Sequence, residues 1–228
     1  MSDFEARIKQ HYADGLDYLD SGQWEDAAAS CESILSLNPN SSEAYYNLAY
    51  VRMMQERWTD ALESCSKAVA FSPFFADGHF RLGCISENLG NMQQAAEAYG
   101  HAASLCPQIL EFNLKLASAL HTIGQYDVAY EAYKRVVELD EHNAPAMCGA
   151  GSTAAMLRNR EEAIAWFNRA IAADPSYAHA YYLLGHAMAY SGKTQEAAAA
   201  YSTALQLDPN RTEVADALKR LRASSSEP

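Results

Sequence analysis

The chain has 228 residues, an apolar fraction of 49% and a formal net charge of −12, which is enough apolar surface for a core and the wrong sign for nucleic-acid binding, where a basic stripe is needed. No stretch approaches the roughly 18 consecutive apolar residues of a membrane span, and the opening MSDFEARIKQ is charged without the apolar centre of a secretory signal, so a cytoplasmic chain with no membrane insertion is expected. Cys31, Cys65, Cys84, Cys106 and Cys148 form no CxxC pair and leave one over, which suits reduced thiols acting as small apolar side chains.

The predicted elements come in pairs. A first helix starts near Asp3, capped by Ser2 or Asp3, and ends at the Ser21-Gly22 turn; a second runs from Trp24 to Leu37. The same plan then recurs every 34 residues. Ala27 maps onto Ala61, Ala95, Ala129, Ala163 and Ala197, Gly15 onto Ala49, Gly83, Ala117, Gly151 and Gly185, and Pro39 onto Pro73, Pro107, Glu141, Pro175 and Pro209. Six coincident alanines define an array of six repeats. Each repeat is a helix pair that cannot bury its apolar faces alone, so neighbours stack. Where helix axes approach to about 8–10 Å, only Gly or Ala fits at the crossing, and large residues such as Leu184, Tyr201, Phe167 and Tyr133 fill the flanking grooves.

Departures from the pattern follow in chain order. Repeat one has Asp14 where others have Leu48, Leu82, Leu116, Ala150 and Leu184, as suits a terminal repeat with one face in water. Residues 1–39 also hold eight acids against Arg7 and Lys9. Repeat two places Ser42 as a helix cap and has Glu56 where Gly22, Gly90, Gly124 and Gly192 stand elsewhere. Repeat four loses its proline to Glu141, leaving Asp140 to Asn143 as the turn. Repeat five has Pro145 in its first helical turn, and Gly149 and Gly151 weaken that helix by about 1 kcal/mol each; it is expected to be the softest joint. The chain ends with an amphipathic helix over 212–223, which carries Val214, Leu218 and Leu221 on one side, and a tail, 224–228, expected to be disordered. Arg211, Lys219, Arg220 and Arg222 make this end basic.

This large-Leu-Gly-Tyr-Ala-Phe-Ala-Pro series resembles the tetratricopeptide repeat (TPR) family over residues 8–211. The resemblance implies an all-α fold, an α-solenoid built as a right-handed superhelix of antiparallel helix pairs. It implies a single domain over 1–223 with repeats at 8–41, 42–75, 76–109, 110–143, 144–177 and 178–211, and a solvating helix at 212–223. It also implies that the first helix of every repeat lines a concave groove. By spacing, the groove residues that matter most are Tyr12, Tyr46, Asn47, Tyr50, Phe80, Arg81, Lys115, His121, Tyr182, His186 and Tyr190. Cys148, Gly149, Ser152, Met156, His179 and Leu183 share that face, with Leu16 and Leu183 expected to pack between helices. Tyr12, Tyr46 and Phe80, spaced by 34 residues, would form an aromatic ladder of the kind that anchors interfaces.

Nothing in the sequence carries catalysis. Gly149-Ala-Gly-Ser-Thr-Ala lies inside a predicted helix and not after a strand, as a phosphate loop requires. His179 and His186 have no carboxylate or cysteine at helical spacing to complete a zinc site. No enzyme activity, cofactor or metal is expected. The expectation is a non-catalytic adaptor that holds an extended peptide or helix of another protein, with an acidic group near Arg81 and Lys115. The chaperone-tail carboxylate clamp of this family is matched only by Asn47 and Arg81, with Tyr12, Leu16 and Asp77 at its other positions, so a co-chaperone is a weaker reading. The alternative is a self-assembling scaffold, a homo-oligomer formed through its acidic and basic ends or its groove.

Overall fold

The computed structural model describes residues 3–224, which among themselves form thirteen α-helices and no strand. Six hairpins follow one another: α1 (Asp3–Asp20) with α2 (Trp24–Leu37), α3 (Ser42–Met54) with α4 (Trp58–Phe71), α5 (Ala76–Asn88) with α6 (Met92–Leu105), α7 (Leu110–Thr122) with α8 (Tyr126–Leu139), α9 (Ala144–Met156) with α10 (Arg160–Ala173), and α11 (Ala178–Tyr190) with α12 (Thr194–Leu207). Helix α13 (Thr212–Ser224) closes the described chain and takes in Ser224, which the sequence assigned to the tail. The remaining tail, 225–228, and the candidate cap Ser2 lie outside the described residues. The helices divide into two compact units, one up to Phe112 and one from Asn113, the division falling in the first turn of α7.

Turn chemistry sets where each hairpin bends. The Gln23 N–H donates to the Tyr18 carbonyl (2.9 Å) and the Gly22 N–H to that of Leu19 (3.2 Å), and the same two-bond closure recurs at Arg57/Glu56, Asn91/Gly90, Gln125/Gly124, Asn159/Arg158 and Lys193/Gly192. This is the Schellman closure, which needs a left-handed residue at the corner. Glycine supplies it four times, whereas Glu56 (φ +57°) and Arg158 (φ +64°) adopt it without the freedom of glycine. In repeat two the cap falls one residue earlier than expected. Ser41 accepts from the Ala44 N–H (3.2 Å), and Ser42 instead donates its hydroxyl to the Ala68 carbonyl (2.8 Å).

Close approach explains the 34-residue spacing. Ala27, Ala61, Ala95, Ala129, Ala163 and Ala197 are all fully buried. At three glycines of the first-helix series spaced by 34 residues the partner is an aromatic ring: a Cβ on Gly83 would meet Tyr99 at 2.5 Å, one on Gly151 would meet Phe167 at 2.5 Å, and one on Gly185 would meet Tyr201 at 2.6 Å. Where Ala49 replaces glycine, Cys65 replaces the ring. Burial pushes the thiols of Cys31 up to about 11 and those of Cys65 and Cys148 up to about 12, so these three pack as uncharged apolar groups.

Repeat five sets a cap and tertiary contacts against its weak helix propensity. Asn143 caps α9 by accepting from the Ala146 N–H (2.9 Å), and eight of the helix's thirteen residues are buried. Gly149 is where the Tyr133 ring comes to rest, in the space a Cβ would need. The glycines cost local propensity, and the rings they admit return apolar contact of larger size.

Candidate peptide-binding groove

In the first unit the predicted groove residues bind one another. The Arg81 guanidinium lies 3.8 Å from the Tyr46 ring centroid and 4.7 Å from that of Tyr50, and it donates to the Tyr46 hydroxyl (2.7 Å). Asp77, one turn earlier on α5, adds negative charge beside Tyr46. Arg81 is therefore held by a cation–π stack and a hydrogen bond of its own unit. The rings expected to form a ladder, Tyr12, Tyr46 and Phe80, each find a different partner. The Tyr12 hydroxyl shares a 2.7 Å hydrogen bond with Ser41, Tyr46 meets Phe75 edge-on at 4.7 Å, and Phe80 stacks on Phe112 at 4.7 Å. Asn47 and Tyr46 line a pocket of about 440 Å³ whose edge also carries Glu43, a charge that opposes an acidic occupant. Leu16, expected to pack between helices, is 55% exposed.

The second unit is different. Three adjoining pockets run along α9 and α11. The middle one, about 410 Å³, is lined mainly by carbon: Met156, Ala163, Phe167, Leu183, Ala187 and Tyr190, with Ser152, Arg160 and His186 as its polar members. Met156 is 53% and Tyr190 75% exposed. On one side a pocket of about 430 Å³ shares His186 and Tyr190 and adds Tyr182, Tyr201 and Arg220. On the other a pocket of about 240 Å³ shares Ser152 and Leu183 and brings His121 and His179 to one site. Tyr182 meets His186 edge-on at 4.6 Å, and His186 lies over Tyr190 at 6.5 Å. Burial lowers the pKa of His121, His179 and His186, helped by Arg211 at His179 and by Arg220 at His186; these imidazoles are neutral near pH 7. Lys115 is half-buried in this unit.

Sequence reading reached Ser152, Met156, Leu183, His186 and Tyr190 but missed the floor of the middle pocket, which comes from second-helix residues Ala163 and Phe167. It missed Thr153 as well, which accepts from His121. Phe167 was visible as a motif position, yet only the missing side chain at Gly151 shows which way its ring turns. Among the described residues no group of three or more His, Cys, Asp or Glu is placed to hold a metal ion, and no helix is long and apolar enough to cross a membrane.

Tandem hairpins of this geometry with an open first-helix face define a helical-repeat scaffold. Models of the tetratricopeptide repeat match residues 12–76, 76–109, 110–143, 159–192 and 178–211, and the chain belongs to the TPR family. The family is typically one of non-catalytic scaffolds on which proteins meet. Among solved structures the chain is similar to YrrB, a TPR protein with an unusual peptide-binding site (22% identity, TM-score 0.72, covering 85% of this chain and 100% of YrrB). It is similar also to MamA (22%, 0.69, 76% and 94%) and to MamA from residue 41 onward of Desulfovibrio magneticus RS-1 (19%, 0.68, 75% and 96%). At these identities the likeness is one of fold. Comparison with curated proteins gives no match.

Proposed function

We propose that the protein is a non-catalytic adaptor that holds a segment of another protein against the first-helix face of its second unit. The observation that supports this is the apolar pocket between α9, α10 and α11, with Met156 and Tyr190 exposed at its edge. An isolated exposed apolar side chain needs no explanation, but two flanking a carbon-lined cavity form the kind of anchor pocket that carries interface energy. A large aliphatic or aromatic side chain of the partner fills it. The acidic group expected near Arg81 and Lys115 is no part of this reading, since Arg81 is already held by Tyr46 and Tyr50. Buried neutral thiols are what a reducing compartment permits, and the reading takes the cytoplasm as the setting.

Selection from a random peptide library displayed on phage, against the immobilised full chain, tests this. Enriched peptides should share a large apolar residue and lose binding to the Met156→Asp/Tyr190→Ala variant. No enrichment, or equal binding to that variant, overturns the reading.

A further inference from the structure

The pocket beside the apolar one carries a specific hydrogen-bonding pattern. Thr153 donates its only hydroxyl hydrogen to the Gly149 carbonyl (2.7 Å), so its 2.9 Å contact with His121 Nδ1 requires the hydrogen to be on the ring. His121 is therefore the Nδ1–H tautomer, and its Nε2 is an acceptor. His179 is fixed the other way. Arg211 can only donate, so at 3.3 Å its Nη1 makes His179 Nδ1 an acceptor and puts the hydrogen on Nε2. Both rings line the same pocket of about 240 Å³. Each has spent its Nδ1 on the protein, which leaves one acceptor and one donor to meet an occupant.

We propose that this pocket reads a side-chain carboxamide, an asparagine or glutamine adjacent in the bound segment to the residue that fills the apolar pocket; this rests on the groove reading above. The amide N–H donates to His121 Nε2 and the amide oxygen accepts from the N–H at His179 Nε2. A carboxylate offers only acceptors and meets a lone pair at His121. An ammonium offers only donors and clashes with the hydrogen at His179. Burial keeps both rings neutral, which preserves the mixed pattern. The rings of Tyr133 and Tyr177 bound the same small space, which suits the flat end of a side chain. Ser152 and Leu183 belong to both pockets, so the amide and the apolar anchor are neighbours along one segment.

The test uses the full chain and an array of acetylated, amidated heptapeptides with a fixed central leucine, each flanking position carrying Asn, Gln, Asp, Glu, Ser or Leu. Asn or Gln next to the leucine should bind about tenfold better than its acidic isostere, the value of one matched hydrogen bond against a mismatched charge. In His121→Phe and in His179→Phe that ratio should fall to near one while leucine dependence persists. His179→Gln, whose own amide can still donate, should recover part of it and guards against a folding defect, which thermal melts of all variants check directly. Leucine-dependent binding without amide preference, or an amide preference unchanged in the histidine variants, overturns the carboxamide assignment alone. An array with no binding at any position overturns the groove reading and the assignment together.

Discussion

The two units carry similar residue types on their first-helix faces and use them in opposite ways. In the first, Arg81, Tyr46 and Tyr50 satisfy one another, and the Tyr12 hydroxyl is spent on Ser41. In the second, Tyr190 and Met156 remain exposed around carbon-lined space, and two histidines each keep one ring nitrogen clear of the protein's own hydrogen bonds. The lesson is that an aromatic or cationic residue on a groove marks a binding site only when its own unit has not already paired it. Polar groups that are internally satisfied cost more to recruit, because a partner must replace bonds that exist.

The largest expected effect tests the packing both units share. Gly185→Val puts a branched side chain where a single Cβ already meets the Tyr201 ring at 2.6 Å, and should destabilise by about 1–3 kcal/mol in urea unfolding. Gly83→Val, against Tyr99, should cost a similar amount. A neutral result at either site would mean that the rings turn aside freely and that close approach does not set the spacing.

The contrast itself is sharpened by exchanging stability for binding. Arg81→Met should lower stability by about 1–2 kcal/mol, since it removes a cation–π stack and a charge-assisted hydrogen bond, and should leave capture of library peptides unchanged. Tyr190→Ala should do the reverse. At 75% exposure its loss costs little stability, while binding should weaken by about tenfold. Should Arg81→Met abolish binding with the fold intact, the first unit holds the partner and the comparison is inverted.

Acidification separates the units by a different route. The folded-state pKa values of His121, His179 and His186 lie below the ordinary 6.5, chiefly through burial. The unfolded chain then binds protons more readily. The stability these neutral rings contribute is complete above about pH 6.5 and is lost as pH falls below it. Hydrogen exchange at pH 7.5 and 5.5, corrected for intrinsic rates, should show α7 and α11 losing protection. Unchanged protection would show that the rings are freely solvated.

The repeat plan was legible because it rests on steric exclusion, and only Gly or Ala can occupy a crossing. Ala129 and Gly185 announce themselves in the sequence for that reason. The site was legible by face but not by state. Spacing put Arg81 and Tyr190 on the same side of their helices, yet whether each is engaged depends on Tyr46 and Phe167, residues from other helices whose ring directions no periodicity encodes. The tautomers of His121 and His179 were beyond reach for the same reason, since Thr153 and Arg211 lie 32 residues away in each case. The softness expected of α9 counts glycine propensity, which is a local quantity, and leaves out the tertiary contacts that Tyr133 and Phe167 supply.

The smallest effect offers the cleanest control. Glu56 and Arg158 hold left-handed corners, one in each unit, and both side chains are exposed. An L-residue in that conformation costs about 1–2 kcal/mol, from which the extra backbone entropy glycine loses on folding, about 0.5–1 kcal/mol, must be subtracted. Glu56→Gly and Arg158→Gly should therefore each stabilise by about 0.5–1 kcal/mol in urea unfolding. Peptide binding should be untouched, because neither residue lines a pocket described above. Equal gains are expected, since the strain is confined to one residue and does not depend on what surrounds the hairpin. A larger gain at Arg158 would mean that strain at the α9–α10 corner is coupled to the packing of Phe167 and Tyr133, and the second unit's openness would then trace to its backbone as well as to its unpaired side chains.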